Sequence, residues 1–432
     1  MMLTSRAVAA IIGALLLAAS PGADAQGQPG GSGNQQRPTF RSSAQLVEVD
    51  AIVLDKRGNF ITGLKPEDLT ITENGKRQTI QQFYLVTYDP GRAAGPEGGT
   101  IVSPYADQAD YRGHRVFVIL FDEGSLSTDG LMRMKMGAEA FIHDQMGAED
   151  AAGVMVNGEL FKGKLTNDKG LLLSAIRAAR PALDTRDSLL APFREWPRIN
   201  TETEAQRISE GAREETAALA AAACREDPGQ CQGVGGQGDV ENRIQQKARQ
   251  YVSQARQLTE QTLQSIQLVS RSLEGIAGRK TLILLTEGFY VEDFRNILSK
   301  VAAQAARAGV TIYSIDGRGR VNTLSINPDV LHQSRARSTA FDTGDDGPNM
   351  LTAGTGGFMV HGIDDMSLGF GRIVNDTSTY YVMAYQPANT NWDGKIRKIE
   401  VHANVAGATV RARKSYAATK LPPQQAIWSV SK

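Results

Sequence analysis

The chain has 432 residues, 41% of them hydrophobic and 22% charged, an ordinary balance for a globular protein and enough length for two or three domains. Its 47 basic residues offset 47 acidic ones, so composition makes no case for nucleic acid or an anionic membrane as a partner.

At the amino terminus, Arg6 supplies a short basic region, Ala7 to Ala19 an apolar core, and Ala23-Asp24-Ala25 an A-x-A cleavage site. Residues 1–25 read as a signal peptide with Gln26 the first mature residue; an uncleaved membrane anchor is the alternative. No Cys follows the cleavage site to carry a lipid, and no later run is long and apolar enough to span a bilayer. The expectation is an exported protein, periplasmic or secreted, with no transmembrane segment after cleavage. Residues 26–40, rich in Gln, Gly, Pro and Asn, form a flexible linker.

From Leu46 to Val53 polar and apolar residues alternate, the mark of a half-buried strand, which ends at the turn Asp55-Lys56-Arg57-Gly58. Leu69 to Thr72 and Thr79 to Val86 are two further strands, and the Asn74-Gly75 pair between them signals a type I′ hairpin. A Gly/Pro-rich connector fills 87–113. Then Arg115-Val-Phe-Val-Ile-Leu-Phe-Asp122 reads as a strand buried on both faces, as in a parallel sheet. Its terminal acid is either a ligand-facing group at the carboxyl end of the sheet or a cap for the next helix. That helix carries Leu131, Met134, Ala138 and Phe141 on one face, with Asp129 as an early-turn acid. Gly153 to Val156 is a second buried strand, and Asp168 to Arg180 a second helix.

Residues 185–250 interrupt this rhythm. Thr201 to Ala223 is helix-prone, Gly229 to Gly238 is a break, and a long helix from Asn242 carries Tyr251, Ala255, Leu258, Thr262, Ile266, Val269, Leu273 and Ile276 at spacings of three and four. The first half of that helix and its predecessor read as a hairpin projecting from the domain, either a partner surface or a solvated excursion. Cys224 and Cys231, the only cysteines, are expected to close a small disulfide loop in an oxidising compartment. Arg279 to Leu285 and Val310 to Ile315 re-enter the sheet as strands, separated by an amphipathic helix over 294–308. Strand–helix alternation of this kind makes a doubly wound, Rossmann-like parallel sheet with right-handed crossovers. A polar loop to about 349, a short strand ending at Val360 and a helix over 364–375 follow. Strands over 379–385, 396–404 and 409–413 close the chain, with Trp392-Asp393-Gly394-Lys395 read as a hairpin turn.

The sequence therefore predicts an α/β fold: a β-sandwich built from both chain ends (41–90 and 377–418) with an α/β domain (114–376) inserted between them. Chain ends that lie close together make such an insertion inexpensive.

Val118 to Asp122, Leu165-Thr166-Asn167-Asp168, Arg279 to Gly288 and Gly309 to Asp316 fall in the order of a von Willebrand factor A-type domain. The flanking segments Leu46 to Asp50, Gly63 to Leu69, Glu73 to Lys76, Thr355-Gly356-Gly357, Tyr380-Tyr381, Tyr385-Gln386-Pro387 and Arg411 to Tyr416 resemble the exported VWFA-related family of Acidobacteria. The resemblance covers about residues 41–418 apart from the insertion, and implies an adhesion or scaffold-like module. Domains of that type often hold Mg²⁺ through Asp-x-Ser-x-Ser, a Thr from a second loop and an Asp from a third. Oxygen-only donors of this kind suit a hard cation. Here Asp122 matches, but Gly124 and Leu126 occupy the two Ser positions. Ser125 and Ser127 are one residue out of register, Thr166 matches the second loop, and Glu287 replaces the third-loop Asp. Asp122, Ser125, Ser127, Thr166 and Glu287 are the candidate ligands of a degenerate metal site, with Mg²⁺ as the cation and no cofactor required; the favoured reading assigns Asp122 to capping and fold maintenance.

Other motifs fail on inspection. Gly275 to Thr281 resembles a phosphate loop, but Arg279 separates Gly278 from Lys280 and a strand follows instead of a helix. Asp342 to Gly347 resembles a Ca²⁺ loop, but Gly344 offers no oxygen ligand and Ala353 stands where the bidentate Glu should be, and Gly317 to Arg320 lacks the third Gly of a dinucleotide fingerprint. The five histidines are scattered, with no H-E-x-x-H and no G-x-S-x-G. The chain is expected to be a non-enzymatic binding module for an unknown protein or cell-envelope partner; a scaffold acting through the helical insertion is the second reading, and a hydrolase with an unrecognised site the third.

Overall fold

A computed structural model describes residues 46–88, 115–320 (apart from 149, 183–184, 277, 290 and 292–293) and 346–422. The expected signal peptide, the linker and most of the 87–113 connector lie outside the described residues.

The front segment gives β1 (Val47–Leu54), β2 (Leu69–Glu73), β3 (Lys76–Gln78) and β4 (Gln82–Thr87). Asn74 and Gly75 both take positive φ, 49° and 78°, as the type I′ turn between β2 and β3 requires. The strand expected over Thr79–Val86 is two pieces in different sheets. β3 pairs with β2, the chain crosses over at residues 79–81, and β4 joins another sheet.

The central segment runs β5 (Val116–Phe121), α1 (Thr128–Ala140), β6 (Ala151–Val156), β7 (Glu159–Leu160), α2 (Lys169–Ala178), α3 (Arg186–Leu190), α4 (Glu202–Ser209), α5 (Arg213–Glu226), α6 (Gly236–Ser272), β8 (Lys280–Thr286), α7 (Arg295–Arg307), β9 (Val310–Asp316), α8 (Asp346–Thr355), β10 (Met359–Val360) and α9 (Met366–Ser378). The six-stranded sheet has the order β10-β9-β8-β5-β6-β7, parallel except for β7, which returns antiparallel to β6. β5 is buried at every position because helices cover both faces. Val116, Val118 and Leu120 enter one core with α6 and α7, while Phe117, Ile119 and Phe121 enter another with α1, α2 and α9. The chain is a mixed α/β protein whose central sheet is mostly parallel.

The insertion departs from the sequence reading. α4 ends at Gly211, φ 96°, so one expected helix is two, and α6 begins at Gly236, six residues before the expected start at Asn242. Ala205, Ile208, Ala220 and Ala223 pack with Val240, Ile244 and Tyr251 in the core that covers one face of the sheet. The α4–α5 pair therefore continues that core and is not a projecting hairpin. Cys224 and Cys231 are joined by a disulfide.

The closing strands are β11 (Thr379–Tyr385), β12 (Ile396–Ala403), β13 (Thr409–Ala412) and β14 (Ser415–Ala417). They combine with the front strands in two antiparallel sheets, β13-β1-β11-β4 and β14-β12-β2-β3. Val47, Val49, Ala51 and Tyr385 of the first share a core with Ile71, Ile399 and Tyr416 of the second. Between β11 and β12 the segment containing Trp392–Lys395 leads from one sheet to the other, so it is not the hairpin that its turn residues suggested.

Candidate functional site

Asp122 follows the last residue of β5, and β8 runs beside it, so Asp122 N–H donates to Leu285 O at 2.9 Å. The acid is 5% exposed. Thr286, at the end of β8, donates from Oγ1 to Asp122 Oδ2 at 2.7 Å. Thr262, in the last third of α6, donates from Oγ1 to Asp122 Oδ1 at 2.7 Å. Each carboxylate oxygen thus takes a hydroxyl hydrogen, one from the sheet and one from the helix laid across its end.

The proton inventory of the neighbouring hydroxyls is consistent. With its hydrogen given to Asp122, Thr286 Oγ1 can accept the Gly288 N–H at 2.9 Å and the Ser125 hydroxyl at 2.8 Å, whose single hydrogen is shared with Asp122 O at 3.1 Å. Ser125 Oγ in turn accepts the Glu287 N–H at 3.2 Å. Ser127 accepts the Gly130 N–H at 3.1 Å and so caps α1; Asp122 does not cap this helix. The Ser127 hydroxyl donates to Glu287 Oε1 at 2.7 Å. Burial pushes the Glu287 carboxyl above its ordinary value, against the pull of that hydroxyl. A β-carbon at Gly130 would lie 1.8 Å from Glu287 Oε1, so any larger residue there would displace that carboxylate. On the third strand, Arg318 clamps Asp316 through Nε and Nη2, and Arg133 of α1 donates to Gly317 O at 2.6 Å.

Four of the five sequence-selected residues, Asp122, Ser125, Ser127 and Glu287, gather at the carboxyl ends of β5 and β8. Thr166 does not join them. It bridges Ala152, which pairs with Phe117, so it lies beside the start of the sheet. Five residues of β5 separate that level from Asp122, roughly 16 Å at about 3.3 Å per residue. The β6–β7 reversal carries the chain back down the sheet before Thr166 is reached.

The donors do not fit an octahedral divalent ion. Both Asp122 oxygens are committed to hydroxyls, and Glu287 is held by Ser127. At the two positions where hydroxyl ligands would be needed, Gly124 faces Leu258 of α6 and Leu126 is fully buried. Among the described residues no group of three or more His, Cys, Asp or Glu side chains is placed to hold a metal.

Thr262 and Thr286 are the site residues that sequence reasoning did not select. Thr262 left a signal, as a hydroxyl within the otherwise apolar series Leu258, Thr262 and Ile266, but its partner lies 140 residues away.

Beside this cluster a cleft of about 720 Å³ opens between α6, the end of β5 and the β6–β7 turn. Its walls include Glu123, Asn157, Gln261, Gln264, Leu268 and Arg271. Glu123 secures the floor, with Oε2 accepting from Asn157 N–H at 2.8 Å and Oε1 from Arg180 N–H at 3.2 Å. Burial raises its carboxyl above the ordinary range despite those two amides. Leu268 is 55% exposed at the rim, a large apolar side chain open to solvent.

No protein-family model matches the chain, and no curated protein matches it. Among solved structures it is similar to an aerotolerance-related membrane protein from Bacteroides fragilis NCTC 9343 carrying multiple mutations to serines, with 11% identity and a TM-score of 0.30 over 61% of this chain and 100% of that one. A likeness of that degree bears on neither family nor function. No helix among the described residues is long and apolar enough to cross a membrane.

Proposed function

We propose that this chain is an exported, non-enzymatic binding module of the von Willebrand A type, which takes a protein partner in the cleft between α6 and the end of the parallel sheet without a bridging metal ion. The observation that carries the reading is the Thr262 bond to Asp122. It uses the carboxylate oxygen that a cation would need and fixes α6 as one wall of the cleft. The order of motifs and their resemblance to that family support the module; the signal-like segment at 1–25 supports export. The cleft offers amides, the carboxylates of Asp122, Glu123 and Glu159, one guanidinium and an exposed leucine, a mixture suited to an extended peptide with an apolar anchor and polar flanks.

Selection of displayed peptides on the mature protein tests this. Peptides that bind equally well in EDTA, and lose binding when Leu268→Asp or Gln264→Arg is introduced, support the reading. Selected peptides that need a divalent cation, or that ignore both substitutions, overturn it.

A further inference from the structure

Three chain segments of the cleft lining meet at one side chain. Glu123 and Gly124 follow β5, Asn157 to Glu159 turn from β6 into β7, and Ala182 follows α2. Glu123 is 9% exposed. Its Oε2 accepts the Asn157 N–H at 2.8 Å and its Oε1 the Arg180 N–H at 3.2 Å, while its main-chain oxygen accepts the Ala182 N–H at 3.1 Å. One residue therefore ties the β6–β7 turn and the exit of α2 to the end of the central strand. The remaining wall, α6, is tied to Asp122 through Thr262 and does not depend on Glu123.

Both carboxylate oxygens face N–H donors, an arrangement that the ionised form satisfies in full. A neutral carboxyl keeps one good acceptor, and the oxygen that carries the proton is a poor one. The charged groups around Glu123 are Asp122 beside it, Lys135 of α1, Arg180 after α2, Glu159 of β7 and Arg271 of α6. Lys135 Nζ donates to Arg177 O at 3.1 Å and Arg180 Nη1 to Ala179 O at 2.9 Å, and among the described residues no cation pairs with Glu123. Burial holds its carboxyl above the ordinary range and Asp122 adds to this, while the two amides and Lys135 act the other way.

We propose that Glu123 is a proton-sensitive clasp for the partner cleft: ionised, it holds the β6–β7 turn and the α2 exit in the arrangement that takes the peptide, and its protonation frees the α2 exit and weakens binding. This regulation rests on the proposed reading of the cleft as a peptide site. The Arg180 bond is the longer of the two, so it is the one given up when a proton arrives. The α2 exit then keeps only the Ala182 bond to the Glu123 main chain. The shorter Asn157 bond retains the turn, and α6 stays in place. A local charge change thus shifts one wall between a held and a loosened state, and the peptide favours the held one.

The test uses the chain from residue 26 onward and peptides selected on it at pH 7.5 from a displayed library without Asp, Glu or His, then synthesised with capped ends so that pH acts on the protein alone. Affinity is expected to fall roughly threefold to tenfold between pH 7.5 and pH 5, the effect of one hydrogen bond's bias on the binding-competent population. Glu123→Gln should bind at pH 7.5 as weakly as wild type does at pH 5, and change little between the two. In an amide NMR titration of wild type, the Arg180 N–H should shift and exchange faster in step with the loss of affinity, while the Asn157 N–H keeps its protection. Binding that is steady across this range, or that falls equally in wild type and Glu123→Gln, overturns the clasp and leaves the cleft reading standing. Failure to select any peptide overturns the cleft reading and the clasp with it. If Glu123→Gln does not fold, the amide titration decides: an Arg180 N–H indifferent to pH overturns the clasp, and one that titrates with affinity supports it.

Discussion

The bond between α6 and Asp122 makes the sharpest energetic prediction. Thr262→Val exchanges a hydroxyl for a methyl of nearly the same size on a helix where the two residues have similar propensity. What is lost is a 2.7 Å hydrogen bond to a buried carboxylate, and Asp122 Oδ1 is left without that donor. A hydrogen bond to a charged group contributes about 1.5–3 kcal/mol, with more lost when the acceptor stays buried and unmet. Thr259→Val is the matched control. It is equally buried on the same helix, but its hydroxyl donates only to Ala255 O one turn back, at 3.2 Å, so its removal should cost under about 1 kcal/mol. Urea denaturation of wild type, both single variants, Asp122→Ala and Asp122→Ala/Thr262→Val gives the coupling directly. The expected coupling between residues 122 and 262 is about 1.5–3 kcal/mol. A coupling below about 0.5 kcal/mol, or equal losses for the two threonine variants, would refute the assignment of α6 to Asp122.

Other positions give independent checks. Asp150 is fully buried and forms a two-pronged pair with Arg115 at 2.9 and 2.6 Å while accepting the Gly147 N–H; Asp150→Ala should cost about 3–5 kcal/mol in urea denaturation, the range for breaking one partner of a buried ion pair. Gly130→Ala drives a β-carbon against Glu287 and should cost about 1–3 kcal/mol, with Glu287→Ala in the same chain relieving most of it. Burial holds Lys280 at about 8, below its ordinary 10.5, with Glu48, Asp50, Glu274 and Arg413 as its charged neighbours. Below pH 8 the residue is charged in both folded and unfolded chains, and its full cost is felt. Between pH 8 and 10.5 the unfolded chain binds more protons, so stability rises with pH across that window. Urea midpoints at pH 7.5 and 9.5 should show that rise in wild type, reduced in Lys280→Met; an unchanged difference would remove Lys280 as its source.

The sheet was legible because its strands are unbroken apolar runs. Val116 to Phe121 has no polar residue to expose, and both of its faces are indeed covered. The placement of Asp122 at a strand end follows from the same run. What local chemistry does not encode is which sheet the next strand will join. Residues 79–81 and the Trp392–Lys395 segment look like ordinary strand continuation and hairpin turn, yet each precedes a strand that pairs in the other antiparallel sheet. The site shows the same division. Ser125, Ser127 and Glu287 follow from the strand ends that carry them, whereas Thr262 reaches Asp122 only because α6 crosses the sheet. Thr166 has the right residue type in the right order, but the β6–β7 reversal takes it to the other end of the sheet. The insertion read as a separate excursion because helix propensity is local; its alanines and isoleucines prove to line the shared core. Removing residues 187–248 would therefore uncover that core, and surface substitutions on α4 and α5 are the cleaner probe of any partner contact there.

The measurement closest to the central claim is calorimetric titration of the chain from residue 26 onward with Mg²⁺, Mn²⁺ and Ca²⁺, beside Asp122→Ala and Thr262→Ala. With both Asp122 oxygens bound by hydroxyls, wild type should show no saturable binding. Saturable binding that Asp122→Ala abolishes would contradict the account and restore Asp122 as a metal ligand.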